Sequence, residues 1–193
     1  MRFRHAGGEM TTDRCLVMGI VNRTPDSFYD GGRMDLHASV AFAVRLVEEG
    51  ADLLDVGGVK AGPGPPVSEG QEVERLVPLV EAIADATSTP ISVETSRGSV
   101  ARLAIEAGAV LINDVTSLAE TDLAEACAET GAGLVVMHHG GQIRGRPRHP
   151  RYDDVVSDVL ELWDGVAEKA RSFGVAQDAL LFDPGLDFGK NTY

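Results

Sequence analysis

The chain has 193 residues, a net charge of −13 at pH 7 and 44 % hydrophobic residues, with aromatics at only 5 %. This is enough apolar mass for a sizeable core. The acidic balance argues against a nucleic-acid surface, which needs basic patches, but not against a small anion held by local donors.

No apolar run approaches membrane-spanning length. Residues 1–14 are polar and lack the apolar stretch of a secretion signal, so they are expected to form a mobile N-terminal tail ahead of a single domain over 15–193. Cys15 and Cys127 fall in apolar segments without metal-ligand spacing. That is the pattern of reduced thiols in a cytoplasmic protein.

Cys15 to Val21 is continuously apolar and reads as a buried strand, with Asn22 at its C-terminal end. Thr24-Pro25-Asp26-Ser27 then supplies turn chemistry. Val40, Ala43, Val44 and Val47 mark a helix over 38–49, stopped by Gly50. Residues 52–58 form a short strand, followed by a Gly/Pro loop containing Lys60, Gly62, Pro63 and Gly64. A helix over 69–87 carries Val73, Leu76, Val77, Val80 and Ile83 on one stripe, and Pro78 inside it is expected to kink it.

A strand over 90–94 leads into a helix over 97–107, with Val100, Leu103, Ala104 and Ala107 inward. The pattern repeats as strand 108–114, helix 121–130 and strand 131–138. A basic loop with Arg144, Arg146, Arg148 and Arg151 precedes the longest helix, 152–173, in which Val156, Val159, Trp163, Val166 and Ala170 face inward. The last strand is 179–183, and 184–191 is its loop.

Strict alternation of apolar strands and helices implies a parallel sheet with right-handed crossovers. Each of the six strands ends on a polar group: Asn22, Asp55, Glu94, Asn113, His138 and Asp183. A (β/α)8 TIM barrel gathers such ends round one pocket. An open doubly wound sheet spreads them along a line. The six polar ends favour the barrel. A full barrel takes eight strands and about 250 residues, so about six β/α units are expected here, incomplete at the C-terminus; a complete six-stranded open sheet is the alternative.

Each end residue also has a purely structural reading. Asp183 before Pro184-Gly185 can form a turn, Asn113 can cap the next segment, Asn22 can be structural, and Asp55 can brace a loop. His138 and His139 lack metal-site spacing and suit a loop role, and the arginines at 144–151 suit a solvated loop.

The motifs make the reading specific. They are Met-Gly-Ile-Val-Asn-Arg-Thr-Pro-Asp-Ser-Phe at 18–28, Asp-Val-Gly-Gly at 55–58, Ile-Ser-Val-Glu-Thr at 91–95, Ile-Asn-Asp-Val at 112–115, Val-Met-His at 136–138 and Asp-Pro-Gly-Leu-Asp-Phe-Gly-Lys at 183–190. In this order the chain resembles the dihydropteroate synthase family of pterin-binding barrels. The resemblance implies condensation of 6-hydroxymethyl-7,8-dihydropterin diphosphate with 4-aminobenzoate, with Mg²⁺ as cofactor. It assigns the pterin to Glu94, Asn113, Asp183, Met137 and Phe188, and the metal to Asn22. Loop positions Lys60, Ala61 and Gly62 fall at the second-substrate site. No protein nucleophile is required. Small-molecule partners are implied, not nucleic acid or a membrane, and a homodimer is compatible with a full-length chain.

The chemistry is consistent. A buried carboxylate can accept two adjacent N–H donors of an amino-pyrimidinone edge, and an amide can read a mixed edge. An amide oxygen is an acceptable Mg²⁺ ligand.

The chain departs from the family in several places. Glu94 stands where Asp is usual, Tyr29 where Ser is usual and Asp187 where Gly is usual. Gly57-Gly58-Val59-Lys60-Ala61-Gly62-Pro63-Gly64 replaces the usual Gly-Gly-Glu-Ser-Thr-Arg-Pro-Gly. The family's later Ser-Arg-Lys and Arg-Val-His motifs are absent from these 193 residues. A pterin-binding paralogue that does not use 4-aminobenzoate is therefore the alternative to a synthase, ahead of an unrelated α/β enzyme.

Overall fold

The computed structural model describes residues 2–23, 35–59, 66–140 and 151–190. It opens with an antiparallel hairpin, β1 (Arg2–His5) and β2 (Gly8–Thr11). Alternating units follow: β3 (Met18–Asn22), α1 (Leu36–Glu48), β4 (Leu53–Gly57), α2 (Glu69–Ala86), β5 (Ile91–Glu94) and α3 (Gly98–Glu106). They continue as β6 (Leu111–Asp114), α4 (Asp122–Thr130), β7 (Gly133–Met137), α5 (Val155–Ser172) and β8 (Leu180–Asp183).

Local chemistry sets the helix ends. Asp35 caps α1 through Ala38 N–H at 2.8 Å. Ser68 and Gln71 cap α2 reciprocally. Gly131, with φ of 71°, ends α4 in the left-handed region.

The main sheet has the order β3-β4-β5-β6-β7-β8, every neighbour parallel. Strand order follows chain order without reversal, so there is no switch point of the doubly wound kind. The described residues form six consecutive strands of a TIM barrel with the five helices between them.

Register partners in parallel strands project to the same face. Val56, Val93, Ile112, Leu134 and Leu180 are successive partners and are all buried. They share one core with Leu76 and Ile83 of α2, Val100 and Ala104 of α3 and Leu123 and Cys127 of α4. This is the outer, helix-covered face. Burial of Cys127 pushes its thiol up to about 12, so it packs as an inert apolar group.

The structure corrects several sequence expectations. Residues 2–11 form a hairpin, not a tail. Phe3 is buried with Leu53 and Leu111, and the Ala6 N–H reaches the Val110 carbonyl at 3.2 Å. Arg4 pairs with Asp178 at 2.6 Å, and Arg14 donates to Asp52 at 2.8 Å. One aromatic in a polar segment packs the hairpin against β4 and β6, and composition does not reveal this.

The first strand of the sheet is not buried throughout. Cys15 is exposed, as are Val17 (56 %), Met18 (37 %) and Ile20 (59 %), while Val21 is fully buried. Among the described residues β3 has one strand neighbour, β4, so only its helix-facing side is covered. Leu103 and Val156, expected inward, are exposed at 39 % and 61 %. Pro78 lies on the exposed side of α2, and the helix continues through it. No described helix is long and apolar enough to cross a membrane.

Candidate functional site

The face opposite the helices carries the polar strand ends. Its deeper row contains Ile20, Asp55, Ser92 and Leu111 as successive register partners. The next row outward is Asn22, Gly57, Glu94, Asn113, Val135 and Leu181. Beyond it, Met137 and Asp183 are partners on β7 and β8. Asn22, Asp55, Glu94, Asn113 and Asp183 therefore project from one concave face. Period-2 alternation places them there, and the progressive stagger between strands sets them at different depths.

Asp55 sits on the floor and is 6 % exposed. Its Oδ2 accepts from Asn113 Nδ2 at 3.1 Å, and its Oδ1 has no hydrogen-bond partner among the described residues. Burial pushes its carboxyl above the usual range, against the lowering influence of neighbouring Ser92 and Asn113. The bond to Asp55 also orients Asn113, whose amide has its nitrogen directed to the floor.

Gly57 has a specific task. A Cβ there would lie 2.5 Å from Asn22 Oδ1 and 4.0 Å from Glu94 Oε2. Only the missing side chain lets the Asn22 amide lie across the end of β4. Two hard oxygens, one from each strand flanking β4, border this bare backbone. Among the described residues there is no group of three or more His, Cys, Asp and Glu side chains arranged to hold a metal. A cation here would depend on Asn22, Glu94 and the ligand's own oxygens.

Asp183 is oriented by its own loop. Its Oδ1 accepts the Gly185 N–H at 2.7 Å, and its carbonyl accepts the His138 N–H at 2.8 Å. Gly185 has φ of 59°, and a Cβ on it would collide with the His138 carbonyl. Phe188 N–H closes the turn on the Gly185 carbonyl at 2.9 Å. Lys190 Nζ then donates to the carbonyls of His138, Gly185 and Phe188 at 2.9, 2.9 and 3.0 Å. Burial holds the Lys190 ammonium below its ordinary pKa.

His138 does not join the site. It follows inward-facing Met137, so alternation turns it outward, where it is 1 % exposed and its Nε2 meets Asp158 Oδ1 of α5 at 2.7 Å. Met137, 2 % exposed, stays on the concave side beside Asp183. Lys60, Ala61, Gly62 and the arginines at 144, 146 and 148 lie outside the described residues.

Sequence reasoning missed two supports. The first is a buried cluster in which Glu72 of α2 accepts from Thr95 Oγ1 at 2.6 Å and pairs with Arg97. Arg97 Nη2 also reaches the Val67 carbonyl at 2.9 Å, which ties the chain just before α2 to the loop after Glu94. The second is the turn after Asn113. Ser117 and Leu118 hold φ values of 57° and 54°. Asp114 accepts from Thr116 N–H at 2.8 Å, Ser117 Oγ donates to the Met137 carbonyl at 2.6 Å, and Lys169 Nζ donates to the Leu118 carbonyl at 2.6 Å. A buried Glu in an amphipathic helix was the available signal for the first. Non-glycine left-handed residues have no local signature.

Comparison with known proteins fits this arrangement. The chain is 50 % identical over 194 aligned residues to the inactive dihydropteroate synthase 2 of Mycobacterium leprae (strain TN), covering 97 % of this chain and 67 % of that protein. It is 42 % identical over 180 residues to the dihydropteroate synthase of Escherichia coli (strain K12), covering 91 % and 63 %. The structure of Xanthomonas albilineans dihydropteroate synthase with 4-aminobenzoic acid superposes with a TM-score of 0.88 at 42 % identity, covering 100 % of this chain and 70 % of that one. The chain thus spans about two thirds of the length of these relatives. Residues 18–193 match the family model described as pterin binding enzyme, and the chain belongs to that family, which includes the dihydropteroate synthases.

Proposed function

We propose that the chain carries the pterin half of a dihydropteroate synthase site, holding 6-hydroxymethyl-7,8-dihydropterin diphosphate for condensation with 4-aminobenzoate. The observation that carries the reading is the convergence of Asn22, Glu94, Asn113 and Asp183 on one face at the C-terminal ends of parallel strands. Asp183 accepts the amino-pyrimidinone donors, and Asn113, with its nitrogen held by Asp55, reads the neighbouring edge. Met137 and Phe188 wall the ring. Asn22 and the Gly57 cradle suit Mg²⁺ at the diphosphate end. When bound there, Mg²⁺ stabilises the negative charge of the departing diphosphate. The amine nitrogen bonds to the electron-poor methylene carbon as its C–O bond to diphosphate breaks, the amine proton passes to diphosphate or water, and no covalent enzyme intermediate forms. A cytoplasmic location and a homodimer of the full-length protein belong to the same reading.

The loop at 59–62 supports a second reading. Ala61 and Gly62 cannot supply the hydroxyl and guanidinium usual in the family, and the 50 % identical M. leprae relative is named inactive. Under this reading the pterin binds but 4-aminobenzoate is not used. Calorimetry with the pterin diphosphate and Mg²⁺, followed by product formation from labelled 4-aminobenzoate, separates the two. Pterin binding with product supports the synthase, and binding without product supports the paralogue. Absence of pterin binding rejects both.

A further inference from the structure

We propose that Glu94 serves the cation and diphosphate end of the pocket beside Asn22, and not the ring edge read by Asp183 and Asn113. The proposal rests on the pterin diphosphate reading and deepens it.

Asn22, Gly57 and Glu94 are register partners on three adjacent strands, so their side chains leave the sheet on one row. The middle member has no side chain. The outer two are therefore separated only by bare backbone. Both lean over it: Asn22 Oδ1 and Glu94 Oε2 lie 2.5 and 4.0 Å from the position a Gly57 Cβ would take.

On its other side Glu94 is the register partner of Asn113. That amide directs its nitrogen to Asp55, at 3.1 Å. Asn113 is thus turned to Asp55 on the row below, while Asn22 and Glu94 flank the gap left by Gly57. An aspartate at position 94 would be about 1.5 Å shorter, one C–C bond, and would withdraw from Asn22. The extra methylene is what brings the carboxylate to the Gly57 cradle.

An amide oxygen and a carboxylate are the number and type of protein ligands Mg²⁺ commonly takes when phosphate and water complete its shell. The carboxylate also sets a constraint. Its charge repels a diphosphate unless a cation lies between them, so the anion should bind poorly without metal. Position 94 then decides how strictly diphosphate binding depends on the cation.

The test uses the full chain with Mn²⁺ and inorganic diphosphate, read by electron paramagnetic resonance of free Mn²⁺. Binding of 6-hydroxymethylpterin, which lacks the diphosphate, is followed separately by calorimetry. Glu94→Gln and Asn22→Ala should each weaken Mn²⁺ binding about tenfold, with ring binding changed less than about twofold. Glu94→Asp keeps the charge and should still weaken Mn²⁺, because reach and not charge is lost.

Unchanged Mn²⁺ affinity in Glu94→Gln overturns the proposal. So does a loss of ring binding in that variant as large as the loss in Asp183→Asn. If the wild type binds no pterin but its Mn²⁺–diphosphate affinity still depends on Glu94, the pterin reading fails and the cation assignment stands.

Discussion

Arg23 occupies the notch that Pro78 opens in α2. Proline has no N–H for the carbonyl four residues earlier, which is that of Glu74. Arg23 Nη1 lies 3.5 Å from the Glu74 carbonyl and 3.0 Å from that of Arg75. The Arg23 N–H also donates to the Gly57 carbonyl at 2.8 Å, and Arg75 Nη1 donates to the Gly58 carbonyl at 3.0 Å. The residue after Asn22 is thus fastened to both β4 and α2.

Arg23→Met should destabilise the fold by about 1.5 kcal/mol, the lower range for a charge-assisted bond. In a Pro78→Ala background residue 78 regains an N–H, and the same change should cost less. Urea denaturation of the four-variant cycle measures the coupling, expected at about 0.5 kcal/mol or more. Zero coupling would assign the whole effect to the Arg75 carbonyl.

Asp55 should make stability depend on pH. Its carboxyl pKa is raised in the folded chain by burial. The folded state therefore holds the proton more tightly than the unfolded one. That contribution is fully present below the ordinary carboxylate value of about 3.9 and is lost as pH rises through the raised folded value. Asp55→Asn removes the ionisation and keeps an acceptor for Asn113. Its melting temperature should exceed that of the wild type at pH 8, and the difference should shrink toward pH 4. Parallel curves for the two proteins would show that the Asp55 carboxylate carries no desolvation cost.

Glu72 is the buried acid most exposed to loss of its partner. Its side chain is 3 % exposed, and its charge is met by Arg97 with Thr95 as a second donor. Arg97→Met strands this carboxylate at a cost of about 3 kcal/mol, the lower end for a broken buried pair because Arg97 keeps contact with water. The double change Glu72→Leu and Arg97→Met should recover much of the loss. Thermal or chemical denaturation reads both.

The order of elements was legible because, among the described residues, the apolar strands β3 to β8 alternate with the amphipathic helices α1 to α5. The shared face of Asn22, Glu94, Asn113 and Asp183 was legible because each ends an apolar run at a position of inward parity. His138, given no site role, is the strand end that parity turns away: one residue beyond Met137, it faces α5 and not the pocket. Asp55 also has inward parity, but the stagger places it a layer lower, which no single strand can reveal. The hairpin of β1 and β2 was hidden because its hold includes the buried Phe3, the Ala6 N–H on the Val110 carbonyl and the Arg4–Asp178 ion pair, all to partners distant in sequence.

Lys190 gives the clearest separation of site order from overall stability. Its ammonium has three protons and meets three carbonyls, from His138, Gly185 and Phe188. Two of these belong to the loop that carries Asp183 and Phe188, and the third belongs to the end of β7. The bonds therefore fold the loop back on the strand beside it. Lys190→Met removes all three donors but leaves the core of the fold untouched. We expect pterin affinity to fall about tenfold or more, while the melting temperature drops by only a few degrees. Lys190→Arg should not restore binding. A planar guanidinium spreads its donors in a fixed fork and cannot converge on three carbonyls as a compact ammonium does. Asp183→Asn, in contrast, should weaken pterin binding while leaving the loop closed, because its amide oxygen can still accept the Gly185 N–H. Hydrogen exchange at Gly185 and Phe188 distinguishes the two cases. Fast exchange is expected in Lys190→Met and near wild-type protection in Asp183→Asn. Full pterin affinity in Lys190→Met would mean that the loop holds its shape through the Asp183–Gly185 turn alone.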